Sequence, residues 1–259
     1  MAIKITTLTE NLVYKRGLLA EHGLSLFIET GTKKILFDTG QSDVFLKNAG
    51  KMGVKIDEID LVIISHGHYD HTGGLSTFLK INSKAKVFLK KEALQEKLDR
   101  TNNNIGLICD PQLLENRVEF VTGITEVDKG LFIVPDIPVY NSEDTHFKKF
   151  NDDFMDELYL AIALDGELSI ITGCSHRGIT NIMKSAGEHF NLPLNLVLGG
   201  FHTKDCTESQ FSYIIDYLSY NTPKSIGVCH CTGIERYSAL NKHFGNKVFY
   251  SYVGSIFEI

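Results

Sequence analysis

Short apolar runs recur along the chain, separated by polar or glycine-containing turns. Rich in β-branched and aromatic residues, they predict strands over 3–8, 24–29, 34–38, 61–65, 86–89 and 131–134, then over 158–164, 168–172, 194–198, 225–229 and 247–250. Other stretches carry apolar residues at helical spacing, which predicts helices over 42–52, 75–80, 91–98, 179–190, 208–220 and 234–243. Thr30-Gly31-Thr32-Lys33 and Asp165-Gly166 stand between consecutive strands and read as hairpin turns. In the second half, helix and strand alternate. Hairpins followed by such alternation fit a mixed α/β layered structure, with helices outside two sheets, better than an all-parallel sheet.

Residues from about 99 to 150 break this rhythm, with Thr101-Asn102-Asn103-Asn104, the prolines Pro111, Pro135 and Pro138, and a polar stretch from Tyr140 to Asn151. A loop-rich insertion of this length serves either as a substrate-shaping lid or as a tolerated surface excursion.

Composition narrows the partners. The chain has 259 residues, is 43% hydrophobic and carries a net charge of -6. That fills a sizeable core, and no block of Lys and Arg is dense enough to track a phosphate backbone, so nucleic acid is not an expected partner. The apolar runs fall far short of the roughly 20 residues that span a bilayer, and MAIKITTLTE lacks the pattern of a signal peptide. A cytoplasmic protein acting on a small molecule, with no membrane partner, is the expectation. The five cysteines (Cys109, Cys174, Cys206, Cys229 and Cys231) are odd in number, scattered and free of any C-x-x-C pair, which favours reduced thiols over a disulfide framework.

The chemistry concentrates after the apolar run Leu61-Val62-Ile63-Ile64, where SHGHYDHTGG places His66, His68, Asp70 and His71 within six positions. In an extended segment His66 and His68 point the same way and suit one metal through neutral imidazoles. Asp70 and His71 then sit on a turn eased by Gly67, Gly73 and Gly74, within reach of a second ion. Rival motifs are missing: the chain has no G-x-x-x-x-G-K-[ST] phosphate loop, no G-x-S-x-G elbow and no G-x-G-x-x-G fingerprint.

His66-Gly67-His68-Tyr69-Asp70-His71 matches the H-x-H-x-D-H signature of the metallo-β-lactamase superfamily, which the chain resembles over nearly its whole length. Phe37-Asp38-Thr39-Gly40 is similar to the early strand end of that superfamily, whose aspartate supports the metal site from behind its ligands. The resemblance implies an αββα sandwich of two mixed sheets with helices on the outer faces. It also implies one domain over 1–259, with the insertion at about 99–150. Two divalent ions are implied, zinc first and manganese or iron by the same donors. The implied activity is that of a metal-dependent hydrolase using a metal-bound hydroxide on an ester, phosphoester or related bond of a substrate that carries phosphate in one version. Asp70 would orient the nucleophile.

The resemblance places the remaining ligands at later strand ends. Three such ends carry histidine near glycine: Gly173-Cys174-Ser175-His176, Gly199-Gly200-Phe201-His202 and His230-Cys231-Thr232-Gly233. His230 matches the late ligand histidine of the superfamily. Cys174 stands where a metal-bridging Asp is usual, so the slot falls either to its thiolate or to His176, and His176 is favoured because imidazole ligates without first losing a thiol proton. His202 reads as a ligand, a proton donor to the leaving group or a contact to substrate phosphate. His22, in Ala20-Glu21-His22-Gly23, is a further metal or supporting candidate, whereas His146, His189 and His243 are expected to lie outside the site.

AEHGLS, FDTG, TGCSH, GGFH and CHCTG together resemble the branch that includes dihydropterin-methyl ribofuranosylaminobenzene phosphate synthase and related metal-dependent hydrolases. That branch adds a transferase reading, in which a dihydropterin-methyl diphosphate condenses with ribofuranosylaminobenzene phosphate. An iron-dependent redox site on the same scaffold is a third.

Overall fold

The computed structural model describes residues 2–150 and 152–259; Met1 and Asn151, the last residue of the polar stretch, lie outside the described residues. Its strands are β1 (Lys4–Thr9), β2 (Ser25–Glu29), β3 (Lys34–Phe37), β4 (Leu61–Ile63), β5 (Lys86–Leu89), β6 (Val118–Phe120) and β7 (Thr125–Asp128). They continue as β8 (Leu131–Val134), β9 (Tyr159–Leu164), β10 (Glu167–Thr172), β11 (Leu194–Gly199), β12 (Ser225–Val228), β13 (Val248–Tyr250) and β14 (Ile256–Glu258). The α-helices are α1 (Val44–Met52), α2 (Tyr69–Thr72), α3 (Leu75–Ile81), α4 (Pro111–Leu114), α5 (Phe147–Phe150), α6 (Ile179–Phe190), α7 (Glu208–Tyr220) and α8 (Ile234–Phe244).

The chain divides into two compact units, one reaching Thr122 and taking back Tyr252–Ile259, the other spanning Gly123–Ser251. Each holds one mixed seven-stranded sheet, ordered β14-β1-β2-β3-β4-β5-β6 and β7-β8-β9-β10-β11-β12-β13. In each sheet, three antiparallel junctions are followed by three parallel ones. Hairpins make three of the antiparallel junctions, β2–β3, β7–β8 and β9–β10, while the parallel junctions are made by longer connections that carry helical segments, as parallel pairing requires.

Both expected hairpins form. Leu164 pairs with Glu167 across Asp165 (φ 51) and Gly166 (φ 80), the left-handed pair that a tight turn on twisted strands needs. In the first unit, Phe45 and Ala49 of α1 and Leu75 and Phe78 of α3 bury against Leu8, Phe27, Leu36, Val62 and Val87 of the sheet. In the second unit, α6 packs on β9 and β10, and α8 on β13. Among the described residues no helix is long and apolar enough to cross a membrane.

Three expectations change. The helix expected over 91–98 stops after a single 3-10 turn, Lys91–Leu94. The backbone beyond it is claimed instead by the insertion: Ile105 N–H donates to Lys97 O at 2.8 Å, and Leu98 bridges Asn104. Within 99–150, β6 and β7 form although their exposed, charge-interrupted sequences gave no strand signal, and the same holds for β14. Finally, Gly73 and Gly74 are not needed for unusual backbone angles, since Gly74 (φ -77) and Gly73 (φ -64) are right-handed. What they supply is room: a Cβ would stand 2.1 Å from Gln41 O at Gly73 and 2.3 Å from Thr39 O at Gly74.

Candidate metal centre

In the first unit the donors follow β4 directly. The strand ends at Ile63, Ser65 and Gly67 carry the backbone on, and His68 precedes the short helix α2 that presents Asp70 and His71. The rings converge: His66 stands 4.7 Å from His68 and 4.3 Å from His71, centroid to centroid. All four donors of the motif are buried. Burial, together with the adjacent His71 and His68 rings, holds His66 well below the usual imidazole pKa and so keeps it neutral, the form that binds metal.

Asp38 fixes this cluster from the end of the neighbouring parallel strand β3. Its backbone is left-handed (φ 57), an uncommon state for a residue with a side chain that turns its carboxylate under the motif. There it accepts hydrogen bonds from Ser65 N–H and Ser65 Oγ–H, each at 2.7 Å, and pairs with His71 Nδ1 at 2.6 Å. With Nδ1 committed, His71 offers Nε2 to a metal, an orientation that a carboxylate behind a ligand histidine characteristically imposes. His22 also comes to the motif: its Nε2 lies 3.1 Å from Asp70 Oδ2, with the histidine side chain about half exposed (54%) and the aspartate at 9%. Asp38 and His22, both named from the sequence, each contact a residue of the motif.

In the second unit the donors sit at the carboxyl ends of three neighbouring parallel strands. β10 leads into Cys174 and His176, β11 into His202, and β12 into His230 and Cys231. Loops after parallel strands meet on one rim of a sheet, which is where sites of α/β proteins form. Left-handed backbone recurs here at Ser175 (φ 55), His202 (φ 50) and His230 (φ 51), so strain gathers at the strand ends that carry donors.

His176 lies flat on Phe154, rings 3.9 Å apart and 3° from parallel, and its centroid is 4.4 Å from that of His202. Its loop is anchored by a buried carboxylate, as Glu157 accepts from the backbone N–H of His176 and of Arg177, each at 2.7 Å. Burial raises Glu157 to about 7 despite those two amides. Asp144, likewise raised to about 7 by burial, accepts from Thr180 N–H at 2.8 Å at the start of α6.

The structure draws in residues that the sequence did not single out. His146, expected outside the site, is buried with its ring 4.4 Å from His202, and its N–H donates to His176 O at 2.9 Å. Cys231 joins Cys174 and His202 in a group whose donor atoms all lie within 4.8 Å of one another. His146 precedes α5 in the irregular insertion, so no strand-end signal marked it. His189 and His243 lie in the last turns of α6 and α8, apart from these clusters.

Comparison with known proteins supplies the relatives. A family model described as the metallo-beta-lactamase superfamily matches residues 19–141. An uncharacterized Methanocaldococcus jannaschii protein, MJ0448, is 31% identical over 98% of this chain and 100% of its own length. The 7,8-dihydropterin-6-methyl-4-(beta-D-ribofuranosyl)-aminobenzene-5'-phosphate synthase of the same organism is 30% identical over 93% of this chain and 92% of its own. Among solved structures, Tm1679, described as a metal-dependent hydrolase of the beta-lactamase superfamily, shares 33% identity and superposes with a TM-score of 0.86, covering 99% of both chains.

Proposed function

Because the chain belongs to the metallo-β-lactamase superfamily, we propose that it is a metal-dependent hydrolase acting on an ester, phosphoester or related bond of a small molecule. The observation that carries the reading is the buried cluster of His66, His68, Asp70 and His71, with His66 held neutral and His71 aimed by Asp38. Neutral imidazoles with an oriented second nitrogen and a carboxylate beside them fit a divalent cation, zinc first, with manganese or iron served by the same donors.

In this proposal His66, His68, Asp70 and His71 are the metal ligands of the first unit, and His176 and His230 are ligands of the second. When bound, the ions acidify a water and polarise the bond under attack. Asp70 orients the nucleophile and takes up its proton. His22, paired with Asp70 Oδ2 and half exposed, carries that proton to solvent. Phe154 stacks on His176 and limits its rotation, while Glu157 holds the loop beneath it. Replacing His68 or Asp70 with Ala is expected to lower bound metal and abolish turnover together, read by elemental analysis and by a panel of nitrophenyl esters and phosphoesters. A variant that keeps full turnover without metal overturns the reading.

The similarity to the M. jannaschii synthase favours a second reading, transfer rather than hydrolysis, with diphosphate leaving a dihydropterin-methyl group as an arylamine ribofuranoside attacks. Incubation with both substrates decides it: they disappear together if the chain is a transferase, and fail to react with each other if it is not.

A further inference from the structure

The second unit contains a donor set of different chemistry from the histidine and aspartate cluster of the first. Cys174 Sγ, a ring nitrogen of His202 and Cys231 Sγ lie within 4.8 Å of one another, with both cysteines buried. They come from the ends of β10, β11 and β12, and the loops that carry them are tied to each other. Phe201 N–H donates to Thr232 Oγ1 at 3.0 Å, Thr203 Oγ–H to Thr232 O at 3.1 Å, Lys204 N–H to Cys231 O at 3.2 Å and Cys231 Sγ–H to Cys174 O at 3.6 Å. Gly200 permits this approach, because a Cβ there would stand 2.5 Å from Cys231 Sγ and 2.7 Å from Gly173 O. The backbone therefore holds two thiols and an imidazole together at a rim where the hydrolase reading needs neither Cys231 nor a sulfur donor.

We propose that Cys174, His202 and Cys231 form a thiolate-rich site for a zinc-class divalent cation. Bonds of about 2.3 Å to sulfur and 2.0 Å to nitrogen around one ion place its donors within about 4.6 Å of one another, close to the 4.8 Å within which these three atoms stand. Binding releases the two thiol protons to solvent, and two thiolates with one imidazole leave a fourth position open. Of the roles open to His202, this assigns ligation. The inference goes beyond the hydrolase reading and stands without it, since it requires only that metal bind.

Cobalt titration of the full chain, stripped of metal and kept reduced without oxygen, tests it. A near-ultraviolet sulfur-to-cobalt charge-transfer band is expected, displaced by zinc and reduced by about half in Cys174→Ser and in Cys231→Ser, one of two thiolates being lost in each. The band persists in Cys109→Ser, whose thiol lies in the other unit, and in His68→Ala, which keeps failure of this site distinct from failure of the hydrolase centre. His202→Gln retains both sulfurs and is expected to keep the band while weakening cobalt affinity about tenfold or more. No band in the unsubstituted protein, an undiminished band in Cys231→Ser, or unchanged cobalt affinity in His202→Gln overturns the proposal.

Discussion

Asp38 shows most clearly how one residue organises chemistry it does not perform. Its carboxylate gathers Ser65 N–H, Ser65 Oγ–H and His71 Nδ1, so a single side chain sets the backbone that enters the motif and the ring that leaves it. Asp38→Ala is expected to weaken metal affinity by about 10- to 100-fold, the usual effect of losing a carboxylate behind a ligand histidine, measured by competition with a chelating dye. Unchanged affinity would mean that Asp38 serves the fold alone. Asp38 was legible only because FDTG resembles the early strand end of the superfamily, whereas His66, His68, Asp70 and His71 were legible because they are neighbours in the chain. His146 and Cys231 were not, because their partners arrive through tertiary contacts tens of residues away.

At the scale of elements, the strand ends work because glycine and buried carboxylates let loops crowd together. Gly199, at φ +149, would place a Cβ 2.2 Å from Thr172 O on β10, so Gly199→Ala meets both an unfavourable backbone angle and a backbone clash. It is expected to destabilise the protein by roughly 1–3 kcal/mol or more, read by urea denaturation. A change below a few tenths would show that β10 and β11 can part freely.

The loop after β10 also predicts a pH dependence. Burial raises Glu157 and Asp144 to about 7, above their ordinary values, so the folded state binds their protons more tightly than the unfolded chain does. Their contribution is full below the unfolded values near 4 and is lost as pH rises through about 7. Metal-free protein should therefore lose on the order of a few kcal/mol of unfolding free energy between about pH 5 and pH 8, and Glu157→Gln should flatten part of that slope. A slope unaltered by the substitution would remove Glu157 from the account. Most elements were readable from periodicity, and α6 and α7 match the expected bounds. β6, β7 and β14 were not, because short exposed strands owe their existence to a neighbouring strand rather than to their own composition.

For the molecule as a whole, the informative regularity is that both sheets run through three antiparallel junctions into three parallel ones. Both place their metal-type donors after parallel strands, β3 and β4 in one unit and β10, β11 and β12 in the other. No repeat in the sequence announced this, since a sheet's order is fixed by pairing and burial, which many different apolar residues satisfy equally well. The choice between hydrolysis and transfer is less legible still, because substrates are read by loops, and 99–150 carries no motif that names one.

The central claim is that turnover depends on metal held by these donors. Its most direct measurement is phosphoester and ester hydrolysis by chelator-stripped protein as zinc is returned in measured equivalents. The account predicts no turnover in the stripped protein and a rise with returned zinc that saturates. Full turnover before any metal is returned would contradict it.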